Sequence, residues 1–282
     1  MPSQEGVCAR NHWLEVKCAK AFWSQQETTP YRHLHRDTLA WAAPQEGERW
    51  LDLGCGSGAL SRGLWEASEG RVAEIVGLDC ASIHAEAYER LRRSLQPPPG
   101  DRLRFLTHDF SHGLDIFPDA RFDHVISGLS ISYAQSWSEV EQRWTTEAYD
   151  RLLREVWRVL RPGGRFVFSV NVPQPQWWRV ALASLGDAFR SEKPLRFLRR
   201  SWRMLRYGRW LKAEARRGRF HYLPAEVVRD KLRAAGFDSI EHRRSYAGQA
   251  YVFRALKRDG GESSEAVERM ILPPGGGKPG IE

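Results

Sequence analysis

The chain has 282 residues, a hydrophobic share of 41% and a formal net charge of +8. No apolar run approaches the roughly 20 residues of a membrane span, and the N-terminus lacks the basic start and apolar run of a secretory signal. The four cysteines form no CxxC pair and have no zinc-type spacing, so we expect free thiols, no bound metal and a cytoplasmic location.

The positive charge is concentrated in one segment. Residues 173–222 contain thirteen Arg or Lys and three acidic residues, a net charge of +10, and the rest of the chain has a net charge of −2. Basicity is therefore a property of this segment alone.

An N-terminal helical cover is predicted over residues 1–45. A helix is expected over 31–41, and Pro44 ends it. His33 and His35 are two residues apart and so lie about 200° apart around a helix, which predicts a solvated face and no shared metal.

From residue 46 to residue 257, predicted strands and helices alternate. We predict strands over 49–54, 74–79, 103–109, 122–128 and 165–170, and a later pair over 239–244 and 249–256. The short turn between the last two predicts that they are antiparallel. The pattern predicts an α/β fold, a doubly wound seven-stranded mostly parallel sheet with an antiparallel terminal hairpin and a helical cover insertion over 173–222. Residues 258–282 are rich in Gly, Pro, Glu and Ser and predict a disordered tail.

The helices between these strands have recognisable ends. Helices are predicted over 59–66 and 82–95, and Pro224 predicts the start of another. The spacing of Ser138 and Glu141 matches a capping box, which predicts a helix start there. That helix would carry an apolar stripe up to Leu160, and Pro162-Gly163-Gly164 would end it.

A glycine turn follows the first strand, in the run Leu51-Asp52-Leu53-Gly54-Cys55-Gly56-Ser57-Gly58. Glycines there let a ligand approach the main chain, and the next helix points its N–H groups at it. The turn alone also fits a dinucleotide, since Gly54, Gly56 and Ala59 match G-x-G-x-x-A and Asp79 follows 20 residues later. In such sheets ligands bind beyond the carboxyl ends of the strands, so the residues after each strand should converge.

Further motifs follow in order: Gly77-Leu78-Asp79, His108-Asp109-Phe110, 122–127 and Arg158-Val159-Leu160-Arg161-Pro162-Gly163-Gly164. Together with the glycine turn, this series resembles the class I S-adenosylmethionine-dependent methyltransferases, in the branch of ubiquinone- and menaquinone-type small-molecule enzymes. The resemblance covers about residues 45–172 and 223–256. It implies a methyltransferase that uses S-adenosylmethionine as cofactor.

The resemblance also implies roles for single residues. Asp52 would bind the methionine amino group, Asp79 the ribose hydroxyls and Asp109 the adenine amino group, with Phe110 as an apolar wall. The other residues expected to contact the cofactor are Gly54, Cys55, Gly56, Cys80 and Ser127.

The acceptor is less well defined by the sequence. Tyr133, just past the fourth strand, is the first candidate to line the acceptor or move a proton, and Tyr31, His33, His221 and Tyr222 are weaker candidates. There is no Asn-Pro-Pro-Tyr after that strand and no Pro-Cys dipeptide. We therefore expect a small-molecule or lipid acceptor, and neither the acceptor atom nor the oligomeric state is predicted.

The basic segment has three interpretations. Arginines alternate with Leu and Trp at helical spacing over 195–212, which fits a lid with solvated arginines, a helix lying on an anionic membrane, or a nucleic-acid groove. The groove is the least supported, because no RNA-binding motif accompanies it. A non-catalytic protein of the same fold that binds a partner through this segment is the alternative function.

Overall fold

The computed structural model describes residues 11–15, 28–190 and 194–258. Nine strands lie within them: β1 (Arg49–Leu53), β2 (Glu74–Asp79), β3 (Leu103–Thr107), β4 (Phe122–Gly128), β5 (Ser136–Ser138), β6 (Arg143–Thr145), β7 (Leu160–Asn171), β8 (Asp238–Ser245) and β9 (Ala250–Leu256). Seven of them form one sheet in the order β3-β2-β1-β4-β7-β9-β8, and β5 and β6 form a separate hairpin.

The described helices are α1 (Thr29–Ala42), α2 (Ala59–Ala67), α3 (His84–Ser94), α4 (Glu147–Val159), α5 (Trp177–Ala183), α6 (Leu185–Arg190), α7 (Pro194–Arg216) and α8 (Ala225–Ala234). Short 3₁₀ turns lie at His12–Leu14, Gly100–Arg102, Phe110–His112 and Ile131–Tyr133. Residues 1–10, 16–27 and 259–282, which include parts of the predicted cover and nearly all of the predicted tail, lie outside the described residues.

The sheet confirms the predicted fold class. The pairs β3-β2, β2-β1, β1-β4 and β4-β7 are parallel, and β9 pairs antiparallel with both β7 and β8. The strand order reverses at β1, which lies between β2 and β4. Because the connections after β1 and β4 leave in opposite directions, a crevice opens beyond their carboxyl ends.

Apolar side chains on both faces of the sheet hold the helices in place. The stripe predicted for α4 is buried, from Tyr149 and Leu152 to Val156 and Val159, each with 0% exposure. On the other face Trp50 and Trp65 are equally buried. Side chains of this size each stabilise the fold by roughly 1.5–3 kcal/mol when they leave water, so the strand ends are held on a rigid base.

The predicted helix start at Ser138 and Glu141 is wrong. The Ser138 hydroxyl does accept a hydrogen bond from the Glu141 backbone N–H (3.1 Å), but the chain then reverses into the β5–β6 hairpin. In that hairpin Trp137 pairs with Trp144, with ring centroids 5.3 Å apart. This cross-strand aromatic contact competes with the local capping signal, and α4 begins only at Glu147.

The Pro-Gly-Gly turn lies differently from the prediction as well. The helix ends at Val159, but β7 begins at once with Leu160, so the turn lies within an irregular start of the strand. A Cβ on Gly164 would come within 2.6 Å of the Asp123 carbonyl oxygen. A glycine therefore lets β7 approach β4 closely at this point.

Candidate functional site

An open cavity of about 150 Å³ lies beyond the carboxyl ends of β1, β2 and β4, at the reversal in strand order. One wall comes from the glycine turn and from three acids, Asp52 within β1, Asp79 at the end of β2 and Asp109 after β3. The opposite wall comes from α1, from the ends of β4 and β7, and from the β8–β9 turn.

The glycine turn is held by backbone hydrogen bonds and left-handed angles. The N–H groups of Gly54 and Cys55 both donate to the Leu78 carbonyl (2.8 and 3.0 Å). Gly58 has φ +84° directly before α2, and a Cβ there would lie 2.5 Å from Leu91. Gly56 has φ +52°, but a Cβ on it would meet no protein atom within 4 Å. Gly58 is thus required by the packing of the fold, whereas Gly56 leaves open space toward the cavity.

Asp52 is buried, with 1% exposure, and its two carboxylate oxygens have different surroundings. Oδ2 accepts hydrogen bonds from the Ser61 backbone N–H (3.0 Å) and the Ser61 hydroxyl (2.6 Å). Oδ1 is buried without a hydrogen-bond partner among the described residues. Burial raises the pKa of Asp52 to about 7. A buried carboxylate oxygen without a donor is unfavourable on its own, and a ligand that carries an ammonium group would compensate it.

Asp79, the last residue of β2, is held by the backbone around it. Its Oδ2 accepts from the Gly56 N–H and its Oδ1 from the Ala81 N–H, both at 3.0 Å. His84 Nε2 lies 3.8 Å from Oδ1. The carboxylate is therefore fixed in orientation at the rim of the glycine turn, where its remaining lone pairs can accept hydrogen bonds from a ligand.

The two cysteines predicted at the cofactor site also line the cavity. Cys55 is buried and Cys80 is partly exposed, and both have free thiols. Burial raises the pKa of both thiols, and the carboxylates of the site raise it further. Both therefore stay protonated at neutral pH and act as small apolar lining groups.

Asp109 and Phe110 lie after β3 and line the same cavity. Asp109 Oδ1 accepts from the Ser111 N–H (2.9 Å), and Oδ2 accepts from the Asn11 side-chain amide (2.6 Å). Trp13, two residues further on, packs on Tyr133 with centroids 4.6 Å apart. The described N-terminal residues 11–15 thus cover this end of the cavity, and an amide already lies where the resemblance implies the adenine amino group.

Ser127 lies behind the cavity wall. It has 0% exposure, and its hydroxyl donates to the Leu53 carbonyl at 2.8 Å. It is not among the lining residues, whereas Gly128 and Ser130 beside it are. Ser127 therefore joins the ends of β1 and β4, and a direct cofactor contact stays a prediction without geometric support.

Three of the acceptor-side candidates, Tyr133, Tyr31 and His221, divide into two groups. Tyr133 and Tyr31 line the cavity, and burial raises the pKa of Tyr133 to about 12 and also raises the pKa of Tyr31. His221 lies outside the cavity, because its Nε2 donates to the Ala134 carbonyl (2.8 Å) and its ring packs on Tyr149. The structure therefore does not bring His221 to the site.

His33 and Tyr222, two of the weaker candidates, also lie outside the cavity. His33 is exposed on α1. The Tyr222 hydroxyl lies 3.0 Å from that of Tyr133, so Tyr222 supports a lining residue from behind.

Sequence reasoning missed several lining residues, notably His35, Asn171, Trp177 and Tyr246. His35 was assigned to a solvated face, but its ring packs on Tyr31 with centroids 4.4 Å apart. The spacing of Tyr31 and His35, four residues on one helix, is a signal that would have placed both on the same face. Asn171 and Tyr246 come from distant parts of the chain, and only the sheet order brings them here.

His35 and Asn171 both have free polar atoms. Neither ring nitrogen of His35 has a hydrogen-bond partner within the described ranges, and burial lowers its pKa to about 4. Asn171 Oδ1 is likewise buried without a partner in the described structure. The acceptor-side wall is therefore aromatic, with one neutral imidazole and one free amide oxygen.

Comparison with known protein families identifies the central part of the chain. Residues 51–168 match the family model described as "Methyltransferase domain". The match runs from β1 into β7 and so contains the glycine turn and the three acids of the site.

Two individual proteins to which the chain is similar also have methyltransferase names. The chain is 31% identical over 134 residues to a demethylmenaquinone methyltransferase from Symbiobacterium thermophilum, covering 47% of this chain and 46% of the relative. It is 33% identical over 168 residues to a fatty-acid O-methyltransferase from Mycolicibacterium smegmatis, covering 58% of this chain and 52% of the relative. The chain thus spans about half the length of the curated relatives it matches.

The fold has a counterpart among solved structures. Haemonchus contortus phosphoethanolamine N-methyltransferase 2, solved in complex with S-adenosyl-L-methionine, matches with a TM-score of 0.52 and 15% identity. The match covers 88% of this chain and 58% of that one. At this identity the likeness concerns the fold.

Proposed function

We propose that this chain, which contains a class I S-adenosylmethionine-dependent methyltransferase domain, transfers the methyl group of that cofactor to a small, uncharged acceptor. The observation that carries the proposal is the free, buried Oδ1 of Asp52 in a cavity whose other wall is aromatic. The first feature fits the cationic amino group of the cofactor, and the second gives a place for an acceptor beside it.

The residues around the glycine turn would hold the cofactor. Asp52 would pair with the methionine amino group, Asp79 would accept hydrogen bonds from the ribose hydroxyls, and Asp109 with Phe110 would contact the adenine. Asp79 is already oriented by two backbone N–H groups, so little order has to be gained on binding. Gly56 leaves the open space that close approach of a ligand to the backbone needs.

The cofactor supplies a methyl group on a positively charged sulfur, which an acceptor displaces in line. The chain then has to align the acceptor and to exclude water, and alignment of reactants is worth roughly 7–11 kcal/mol. The rings of Trp13, Tyr133 and Trp177 suit both tasks, because they form a rigid apolar wall around the space left for the acceptor.

The lining residues favour an uncharged acceptor. In the described part of the chain, three aspartates line the cavity on the cofactor side, and no Lys, Arg or Glu lines it. A charged acceptor would have to leave water for an aromatic wall without a counter-ion, which is costly. The free Asn171 Oδ1 can accept a hydrogen bond from an acceptor hydroxyl or amine.

His35 is our candidate for the group that takes the acceptor proton, in place of His221. Neither ring nitrogen of His35 has a hydrogen-bond partner in the described residues. Its pKa of about 4 keeps the imidazole neutral and makes it a weak base, which suffices for the strongly acidic proton of an acceptor hydroxyl whose oxygen is gaining the methyl group. His35 also lines a shallow surface pocket with Arg32, Arg36 and Leu39, which gives the proton a route to solvent. Tyr31 and Tyr133 have raised pKa values, so they are suited to donate hydrogen bonds and not to act as bases.

The test is a transfer assay with methyl-labelled S-adenosylmethionine over quinone, phenol, amine and lipid fractions. The proposal predicts label in an uncharged small molecule or lipid, and no label with the Asp52→Asn variant. Cofactor binding without transfer to any fraction would favour the alternative, a non-catalytic protein of the same fold. The family match and the methyltransferase names of the relatives support the enzyme over that alternative.

A further inference from the structure

The helical insertion has an inner and an outer surface with different chemistry. On the inner side Leu211 is buried with 2% exposure, and Trp210 packs against Phe220 with centroids 5.9 Å apart. The Trp177 indole N–H donates to the Gly208 carbonyl (2.9 Å) and so joins α5 to α7. Trp177 also lines the cavity, so these contacts join the insertion to the cavity wall. None of these contacts involves the side chains on the outer surface of the insertion.

The outer side chains include large apolar groups. Trp178, Leu182, Leu185 and Trp202 are 54%, 55%, 46% and 62% exposed. They belong to α5, α6 and α7, three helices that contact one another. Single exposed apolar residues are ordinary, but four within one small helical unit indicate a contact surface. We call these four residues the outer apolar group.

The charges of the insertion are sorted in the same way. Its two described acidic residues are buried and neutralised: Asp187 accepts hydrogen bonds from Thr29 and Arg32, and Glu214 pairs with Arg217 and Arg219. In contrast Arg179, Arg206, Arg209 and Arg216 are exposed and have no carboxylate partner among the described residues. The outer surface therefore presents positive charge without compensating negative charge.

The arginines lie next to the apolar groups. The Arg179 guanidinium lies 5.5 Å from the Trp178 ring centroid, and Arg206 lies 5.5 Å from that of Trp202. Tryptophan beside arginine is the composition that suits the headgroup region of an anionic bilayer, where the indole lies at the interface and the guanidinium meets phosphate. The described part of the chain contains no helix able to cross a membrane, so such contact would be peripheral.

We propose that the outer surface of the insertion, formed by the outer apolar group with Arg179, Arg206 and Arg209, binds anionic lipid bilayers. The exposed aliphatic side chains Leu182 and Leu185 favour lipid over nucleic acid, because they can enter the acyl region but have no role against a phosphate backbone. The surface includes α5, whose Trp177 lines the cavity, so binding would bring this part of the cavity wall close to the bilayer.

The test measures co-sedimentation of the full chain with phosphatidylcholine vesicles, with and without phosphatidylglycerol. We expect binding only to the anionic vesicles, and weaker binding at high salt. Arg206→Glu with Arg209→Glu should lower the affinity at least tenfold. Trp178→Ser with Trp202→Ser should lower it and leave a residual binding that salt abolishes.

The matched control is Arg90→Glu with Arg93→Glu on α3, which makes the same charge change at exposed positions away from the insertion. It should bind like the unmodified protein. Vesicles with brominated lipids should quench tryptophan fluorescence of the unmodified protein, a readout that needs no variant.

The proposal is overturned if the unmodified protein does not bind anionic vesicles, or if both double variants bind as well as the control. Tighter binding to a single-stranded RNA oligomer than to the vesicles would also overturn it and would favour the nucleic-acid interpretation. Cofactor binding by the variants, which lack changes in the cavity, serves as the check that they are folded.

Discussion

Ser61 donates both of its hydrogen bonds, from the backbone N–H and from the hydroxyl, to the same oxygen of Asp52. The Tyr88 hydroxyl in turn donates to the Ser61 hydroxyl oxygen at 2.7 Å. This buried chain fixes the carboxylate and leaves its second oxygen free at the cavity. The protein thus holds a buried carboxyl group, with a pKa of about 7, at the point where a cationic group of the cofactor would bind and favour its ionised form.

Asp52→Asn should abolish cofactor binding and stabilise the free protein. The folded pKa of Asp52, about 7, is raised above the reference value of 3.8. The stability that the protonated form supplies is therefore fully present below about pH 3.8, decreases as pH rises from there to about 7, and is absent above pH 7. Removing the charge at pH 8 should therefore raise the free energy of unfolding, by up to about 4 kcal/mol. In thermal denaturation at pH 8, Asp52→Asn should have a higher melting temperature than the unmodified protein. The difference between the two should be smaller at pH 5.

Asp101→Asn is the control for that experiment, because Asp101 is fully exposed and lies away from the cavity. It should leave both melting temperature and cofactor affinity unchanged. An Asp52→Asn variant that binds S-adenosylmethionine as the unmodified protein does would contradict the assigned role.

Cofactor affinity should depend on pH through the same carboxylate. Asp52 binds a cation only when ionised, so affinity should fall below about pH 7, approaching tenfold per pH unit. Binding near neutral pH should also release a proton, since the bound cation lowers the pKa of Asp52. Calorimetry in buffers of different ionisation enthalpy measures that release, and an affinity that is constant from about pH 6 to about pH 8 would rule this coupling out.

Gly56→Ala and Gly58→Ala should separate function from folding. A Cβ on Gly58 meets Leu91 at 2.5 Å and Tyr88 at 2.9 Å, so this variant should lose about 1–3 kcal/mol of stability. A Cβ on Gly56 meets no protein atom, and only its φ of +52° costs stability, about 1 kcal/mol. Gly56→Ala should nevertheless lose cofactor affinity, because the methyl group enters the space left for the ligand. Equal effects of the two variants on melting temperature would speak against this assignment.

The sequence predicts the cofactor side of this site better than the acceptor side. The bounds of β2 and β4 are predicted to the residue, because their apolar runs end at glycine or aspartate. Asp79 of the site is the last residue of β2, so its position follows directly from the end of that strand. The acceptor-side wall joins α1, the end of β7 and the β8–β9 turn, which lie far apart in the chain, and no local pattern links His35 with Asn171 or Tyr246.

The wrong predictions share a physical cause. The capping pattern at Ser138 forms its hydrogen bond but in a hairpin, because Trp137 and Trp144 pair across the strands. His221 has the right residue type for a base, but the Ala134 carbonyl binds its Nε2 away from the cavity. In each case a tertiary contact, which the local sequence does not encode, decides the outcome.

His35→Asn should reduce turnover without reducing cofactor affinity. Loss of a general base typically costs roughly 10²–10⁴-fold in rate, whereas Asp52 and Asp79 stay in place to bind the cofactor. His33→Asn is the matched control, since His33 lies two residues away on the exposed side of α1. The measurement is kcat and KM for an acceptor found in the transfer assay. If His33→Asn and His35→Asn have the same turnover, His35 is not the base.

The central claim is that Asp52 and Asp79, near the ends of β1 and β2, hold the cofactor. It is tested most directly by titrating S-adenosylmethionine into the unmodified protein and into Asp79→Ala. We predict one-to-one binding to the unmodified protein and an affinity at least tenfold lower for the variant, because two charge-assisted hydrogen bonds of about 1.5–3 kcal/mol each are lost. Absence of binding to the unmodified protein, or equal affinity of a folded Asp79→Ala variant, would contradict the claim.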